Sequence, residues 1–81
     1  MDDLEDAWAE LHAANSALCW HVDLPVFYER RDEWQLYAFD PTERPKVGQR
    51  SREWTAVAPS QARAVREMAR FLSEITGQAR G

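Results

Sequence analysis

Cys19, His21 and Asp23 occupy alternate positions, with His12 a turn or two upstream. In an extended strand alternate residues share a face, so a thiol, an imidazole and a carboxylate would stand in a row. Two chemistries use such a row. A metal site needs three or four convergent ligands, and here Cys19 and His21 give one loose pair with no second. A cysteine nucleophile needs a neighbouring base to form its thiolate, and His21 is the candidate. The ordinary reading competes with both: a lone cysteine is commonly a small buried hydrophobe. No paired-carboxylate motif or serine elbow appears elsewhere, and 3 glycines leave no phosphate-cradling loop. The expectation is a chain without catalytic residues, cofactor or metal.

Two surfaces suggest binding instead. The segment Trp34 to Phe39 alternates with apolar residues on both sides: Trp34, Leu36 and Ala38 point one way, and Tyr37 and Phe39 the other, beside Gln35. An antiparallel sheet covered on one side should be polar on the second. Either helices cover opposite faces, or both cover one face and the aromatic face is kept for a partner. Rings in a small domain are ordinarily core; the functional reading makes Tyr37, Phe39 and Phe27 the contact with a protein partner or a second copy. The other surface is basic. Arg63, Arg66 and Arg70 lie within about 60° on a helical wheel, and Arg44, Lys46, Arg50 and Arg52 could join them on phosphate. The plain alternative is a solvated face with local ion pairs to Glu67 and Glu74. A third arrangement lays the acidic first helix against these arginines.

The elements that must position these residues follow from periodicity. Leu4, Trp8, Leu11 and Leu18 recur at helical spacing, Asp2 or Asp3 caps the start, and Asn15-Ser16 is the expected stop. From Trp20 the period becomes two: Trp20, Val22 and Leu24 alternate with His21 and Asp23 until Pro25 forces a bend or an edge. Val26 to Tyr28 is then the first firm strand. Residues 29–33 suit a four- or five-residue hairpin loop, Trp34 to Phe39 is the clearest strand, and Asp40-Pro41 opens a turn and a longer loop. A third strand runs from about Arg52 to Ala58. Pro59-Ser60 opens the last helix, whose stripe is Val65, Met68, Leu72 and Ile75, and Gly77 is expected to stop it.

The fold class expected is α+β: a three-stranded antiparallel sheet with an N-terminal and a C-terminal helix, as one domain over 1–77, with 78–81 a disordered tail. Trp8, Leu11, Trp34, Leu36, Trp54, Val65, Met68 and Leu72 form the expected core. With 81 residues, 44% of them hydrophobic but rich in alanine, the core is thin. No apolar run approaches the ~20 residues of a membrane span and no signal-peptide pattern opens the chain, so the cytoplasm is the expected compartment.

Net charge is −4, which weighs against nucleic acid as a partner. The balance is uneven. Residues 1–29 carry acids and no Lys or Arg, whereas all ten bases fall in 30–81, nine of them Arg.

The order helix, three strands, helix resembles the double-stranded-RNA-binding domain, with Ser60-Gln61-Ala62-Arg63-Ala64-Val65 where that family begins its second helix. Its lysine pair and its histidine-bearing loop are missing here, which removes the phosphate ligands. Trp34 to Ile75 is similar to the arm-type DNA-binding domain of phage integrases, from which the acidic first helix departs. Arg50-Ser51-Arg52-Glu53-Trp54-Thr55-Ala56-Val57-Ala58 and Val65-Arg66-Glu67-Met68-Ala69-Arg70 resemble a group of small uncharacterised proteins of GC-rich bacteria, which implies no activity. The function expected is a non-enzymatic interaction module; the alternative is a nucleic-acid-binding regulator.

Overall fold

A computed structural model describes residues 3–42 and 52–80. The elements are α1 (Leu4–Asn15), β1 (His21–Val22), β2 (Val26–Tyr28), β3 (Glu33–Phe39), β4 (Glu53–Ala58) and α2 (Gln61–Arg80). The architecture is α+β, with an antiparallel sheet between an N-terminal and a C-terminal helix.

β3 is the centre of the sheet. β4 pairs along one edge of it, from Trp34↔Ala58 to Phe39↔Glu53. Along the other edge lie β1, paired His21↔Phe39 and Val22↔Ala38, and β2, paired Val26↔Gln35 to Tyr28↔Glu33. Between these two stretches Asp23, Leu24 and Pro25 face only Leu36 and Tyr37, so the edge strand carries one extra residue, a β-bulge. The Asp23 N–H still donates to the Tyr37 carbonyl at 2.9 Å. Pro25, which has no N–H to give a ladder, sits where its lack does least harm.

The bulge changes parity. In an unbroken strand the even residues 22, 24, 26 and 28 would share a face; with one residue inserted, Val26 and Tyr28 turn to the side of His21, and Phe27 turns to the side of Val22. Phe27 accordingly pairs with Trp34, ring centroids 5.4 Å apart.

α2 lies on the Val22 side of the sheet, and α1 is carried on α2. Leu36, Ala38, Ala56 and Ala58 of the sheet are buried together with Val65, Met68 and Leu72 of α2. α2 packs on β3 and β4, and α1 packs on α2. Small residues on the sheet let the helix approach closely, and the larger side chains of α2 fill the gap. Of the expected core, Leu11, Leu36, Val65, Met68 and Leu72 are fully buried. Trp8 and Trp34 are only half-buried, and Trp54, 46% exposed, stacks one ring face on Phe71 at 4.5 Å. The tryptophan that is buried is Trp20.

Local polar groups explain the ends of the elements. The Asp3 carboxylate accepts from the Glu5 N–H at 2.9 Å and caps α1. Asn15, out of place in an apolar stripe, uses both ends of its amide on Trp20: Nδ2 donates to the carbonyl and Oδ1 accepts from the N–H, each at 2.9 Å. That clamp reverses the chain, with Cys19 in the left-handed region at φ 56, and seats the Trp20 ring against Phe71. Tyr28 and Glu33 close a hairpin over residues 29–32, with Asp32 at φ 49; Asp tolerates that conformation better than most residues. Asp40 accepts from the Thr42 N–H and hydroxyl, the expected turn. Ser60 is the cap of α2, its Oγ accepting from the Arg63 N–H, so Pro59 precedes the helix rather than lying in its first turn. Gly77 does not end the helix, which runs to Arg80. A Cβ added at Gly77 would meet nothing within 4 Å, so the glycine is tolerated in mid-helix and marks no turn.

Candidate interaction surface

The face of the sheet turned away from the helices consists of His21, Val26, Tyr28, Glu33, Gln35, Tyr37, Phe39, Glu53, Thr55 and Val57, because residues paired across an antiparallel ladder share a side. Tyr37 and Phe39 stand together on it, ring centroids 5.8 Å apart, and His21 lies on Phe39 at 4.9 Å. Val26 is 51% exposed, Tyr28 and Val57 are each 44% exposed, and Leu24 at the bulge is 79% exposed. Among the described residues no helix packs on this surface, where apolar and aromatic side chains stand among polar ones.

Phe27, expected beside Tyr37 and Phe39, is on the opposite face for the parity reason given above. Its place is taken by Tyr28 and Val26. The signal that could have found them is Pro25, because a proline inside a paired strand points to a bulge.

Besides Gln35 and Thr55, the polar groups on this face are acidic or paired to acids. The Tyr37 hydroxyl donates to a Glu53 carboxylate oxygen, and His21 Nε2 lies 2.8 Å from Asp23 Oδ1. The bond to Glu53 holds the Tyr37 phenol above its ordinary 10.0, helped by reduced solvation and by the negative charges of Glu53 and Asp23. Glu33 has Arg31 Nε at 4.0 Å, reaching over from the turn. Where the bulge bends the edge, a notch of about 310 Å³ opens, lined by Asp23, Leu24, Val26, Tyr28, Gln35 and Tyr37 among others.

The basic residues are elsewhere. Arg66 and Arg70 line an open groove of about 800 Å³ between α1 and α2, with Ala13, Ala14 and Ala69 on its walls. Arg66 Nη1 donates to Glu10 of α1, which is the arrangement in which the acidic helix lies against the arginines. Arg63 and Arg70 are exposed, and Arg52 sits just before β4 with its carbonyl accepting from the Asp40 N–H. Arg44, Lys46 and Arg50 lie outside the described residues.

Cys19, His21 and Asp23 do not stand in one row on a strand. Cys19 belongs to the reversal rather than to a strand, is exposed rather than buried, and its Sγ is 3.7 Å from the Ser16 carbonyl, while His21 is engaged with Asp23. Among the described residues no group of three or more His, Cys, Asp or Glu is arranged to hold a metal ion. No helix among them is long and apolar enough to cross a membrane.

Comparison of the chain with protein-family models, curated proteins and solved structures finds no match. The class is therefore defined by fold alone: a small α+β domain in which, among the described residues, the helices cover one face of the sheet and not the other.

Proposed function

We propose that this chain is a non-enzymatic interaction module that docks a protein, either another protein or a second copy of the chain, on its open sheet face, with Tyr37 and Phe39 at the contact. One observation supports this above the others. α2 stacks on the Leu36 side of the sheet and α1 packs on α2, so the rings of Tyr28, Tyr37 and Phe39 are left on a side that no element covers among the described residues. Aromatic side chains are the usual anchors of interfaces, and rings fixed on a ladder lose little freedom when a partner arrives. A reducing compartment such as the cytoplasm suits a module with an exposed free thiol at Cys19.

Sedimentation velocity and site-directed crosslinking test the proposal together. The wild type is run up to about 1 mM, where even a weak dimer is populated, beside Phe39→Thr and Arg63→Glu, and a photoreactive residue is placed at Tyr37. The expected result is a doubled mass or one discrete protein adduct, lost in Phe39→Thr and kept in Arg63→Glu. A monomer throughout, with no adduct from Tyr37, overturns it.

A further inference from the structure

We propose that the notch at the β-bulge receives a lysine or arginine side chain projecting from an extended, basic segment of the partner protein. The inference rests on the open face being the docking surface, and it names what that surface selects.

Charge decides the partner. The face presents Glu33 and Glu53, with Asp23 at the notch on its edge; none of its positions is a lysine or arginine, and Arg31 reaches Glu33 from the turn. A second copy laid face to face would set these carboxylates against their own duplicates, a juxtaposition that interfaces avoid. A cationic partner meets the opposite situation.

Shape decides the side chain. The bulge turns Val26 and Tyr28 outward and bends the edge strand away, so the notch is elongated: Tyr37 and the Asp23 carboxylate lie at one end and Tyr28 at the other, with Val26 and Gln35 between them. Lysine and arginine are built for such a slot, because their methylene stems pack on apolar surface while the charged head stays near water. The stem would lie over Val26 and the head would reach Asp23, whose other partner is His21. The ring faces of Tyr37 and Tyr28 attract a cation through their quadrupoles. With the Tyr37 hydroxyl committed to Glu53, its ring is fixed in place. A glutamate or phosphate in the same slot would face the Asp23 carboxylate, and among the described residues no lysine or arginine lines the slot. Extended segments suit the site because alternate side chains of a strand-like peptide project to one side.

Blocked pentapeptides with a single central arginine, and the same peptide with lysine, citrulline or glutamate at that position, are titrated into the full chain and followed by amide NMR. The arginine peptide should shift Asp23, Gln35 and Thr55, and citrulline, which keeps the shape and loses the charge, should bind about fivefold or more weakly. Asp23→Asn should weaken the arginine peptide about threefold or more, and raising salt from about 0.05 to 0.5 M should weaken it further. Arg63→Glu, on α2, should change neither. Equal shifts from the arginine and citrulline peptides overturn the cationic preference and leave the docking face standing. Silence from every peptide, with a dimer formed through Phe39, overturns it too, in favour of a second copy. Silence with a monomer and no adduct at Tyr37 removes the docking face as well.

Discussion

Leu36 and Phe39 both lie on β3 and point to opposite sides of the sheet, so truncating each in turn measures which side is covered. Leu36 is 0% exposed, beneath α2. Removing three carbons there leaves a cavity that α2 cannot close without losing its own contacts with Ala56 and Ala58, and the cost should be about 3–5 kcal/mol. At about 0.05–0.15 kcal/mol per residue, 81 residues hold about 4–12 kcal/mol in all, so Leu36→Ala takes a large share of the total. Phe39 packs on His21 and Tyr37 from one side only. Phe39→Thr keeps a residue suited to strands and loses a cross-strand ring contact with His21 and one with Tyr37 of its own strand, together worth about 1 kcal/mol or less. Urea unfolding followed by tryptophan fluorescence reads both, since buried Trp20 reports the native state. With a slope of about 1 kcal/mol per molar urea, the midpoint should fall by about 3 M or more for Leu36→Ala and by about 1 M or less for Phe39→Thr. Equal costs would mean that the face of Phe39 is as covered as that of Leu36, and the reasoning behind the docking surface would be refuted.

Two other outcomes follow from polar contacts. The Tyr37 phenol titrates above 10.0 because Glu53 holds its proton. A raised folded value means that the stabilising effect is complete below pH 10 and is lost as the pH climbs through the folded value, since the unfolded chain gives up this proton first. In an alkaline absorbance titration the late tyrosinate component should vanish in Tyr37→Phe and move down in Glu53→Gln; an unchanged profile in Glu53→Gln would break the assignment. Glu10 and Arg66 join α1 to α2, with the guanidinium side chain 34% exposed and the carboxylate side chain 58% exposed. Exposure on that scale limits their coupling to about 0.2–1 kcal/mol in a double-mutant cycle by urea unfolding, and Arg66→Glu should be rescued in part by Glu10→Arg. Absence of any coupling would separate the two helices at this point.

The parts of this fold that were legible in the sequence are those fixed by neighbours along the chain. The stripe of Val65, Met68 and Leu72, the turn at Asp40, the hairpin after Tyr28 and the acidic cap of α1 each depend on residues within a turn or two. The side of the sheet that the helices cover does not. Period two with apolar residues on both faces of β3 is equally compatible with either side, and the choice is made by contacts of α2 with Ala56 and Ala58 far along the chain. The placement of Phe27 failed for a sharper reason: one inserted residue at Leu24-Pro25 exchanges the faces of everything after it. The tryptophans failed through size, because small alanines on the sheet bring α2 close and leave Trp34 and Trp54 at the margins of the contact. Trp20 was placed by an amide clamp from Asn15, whose only trace in the sequence is a polar residue interrupting an apolar stripe.

The same contacts weigh the two binding surfaces against each other. A sheet that reads nucleic acid lays its strands into a groove between rows of phosphates, so its exposed face must be positive or at least free of carboxylates. Here that face carries Asp23 and Glu53, and Arg63, Arg66 and Arg70 are on α2, with Arg66 already facing Glu10. Phosphate binding would then depend on Arg63, Arg70 and whatever the segment 43–51 contributes, against a helix that carries Glu5, Asp6 and Glu10. Each phosphate contact adds a share of salt-dependent affinity, so two or three arginines beside a row of carboxylates give little. The aromatic face has the opposite balance: its rings are already ordered by the ladder, its carboxylates are in place for a basic segment, and the bulge that disturbed the strand is what opens the slot between them.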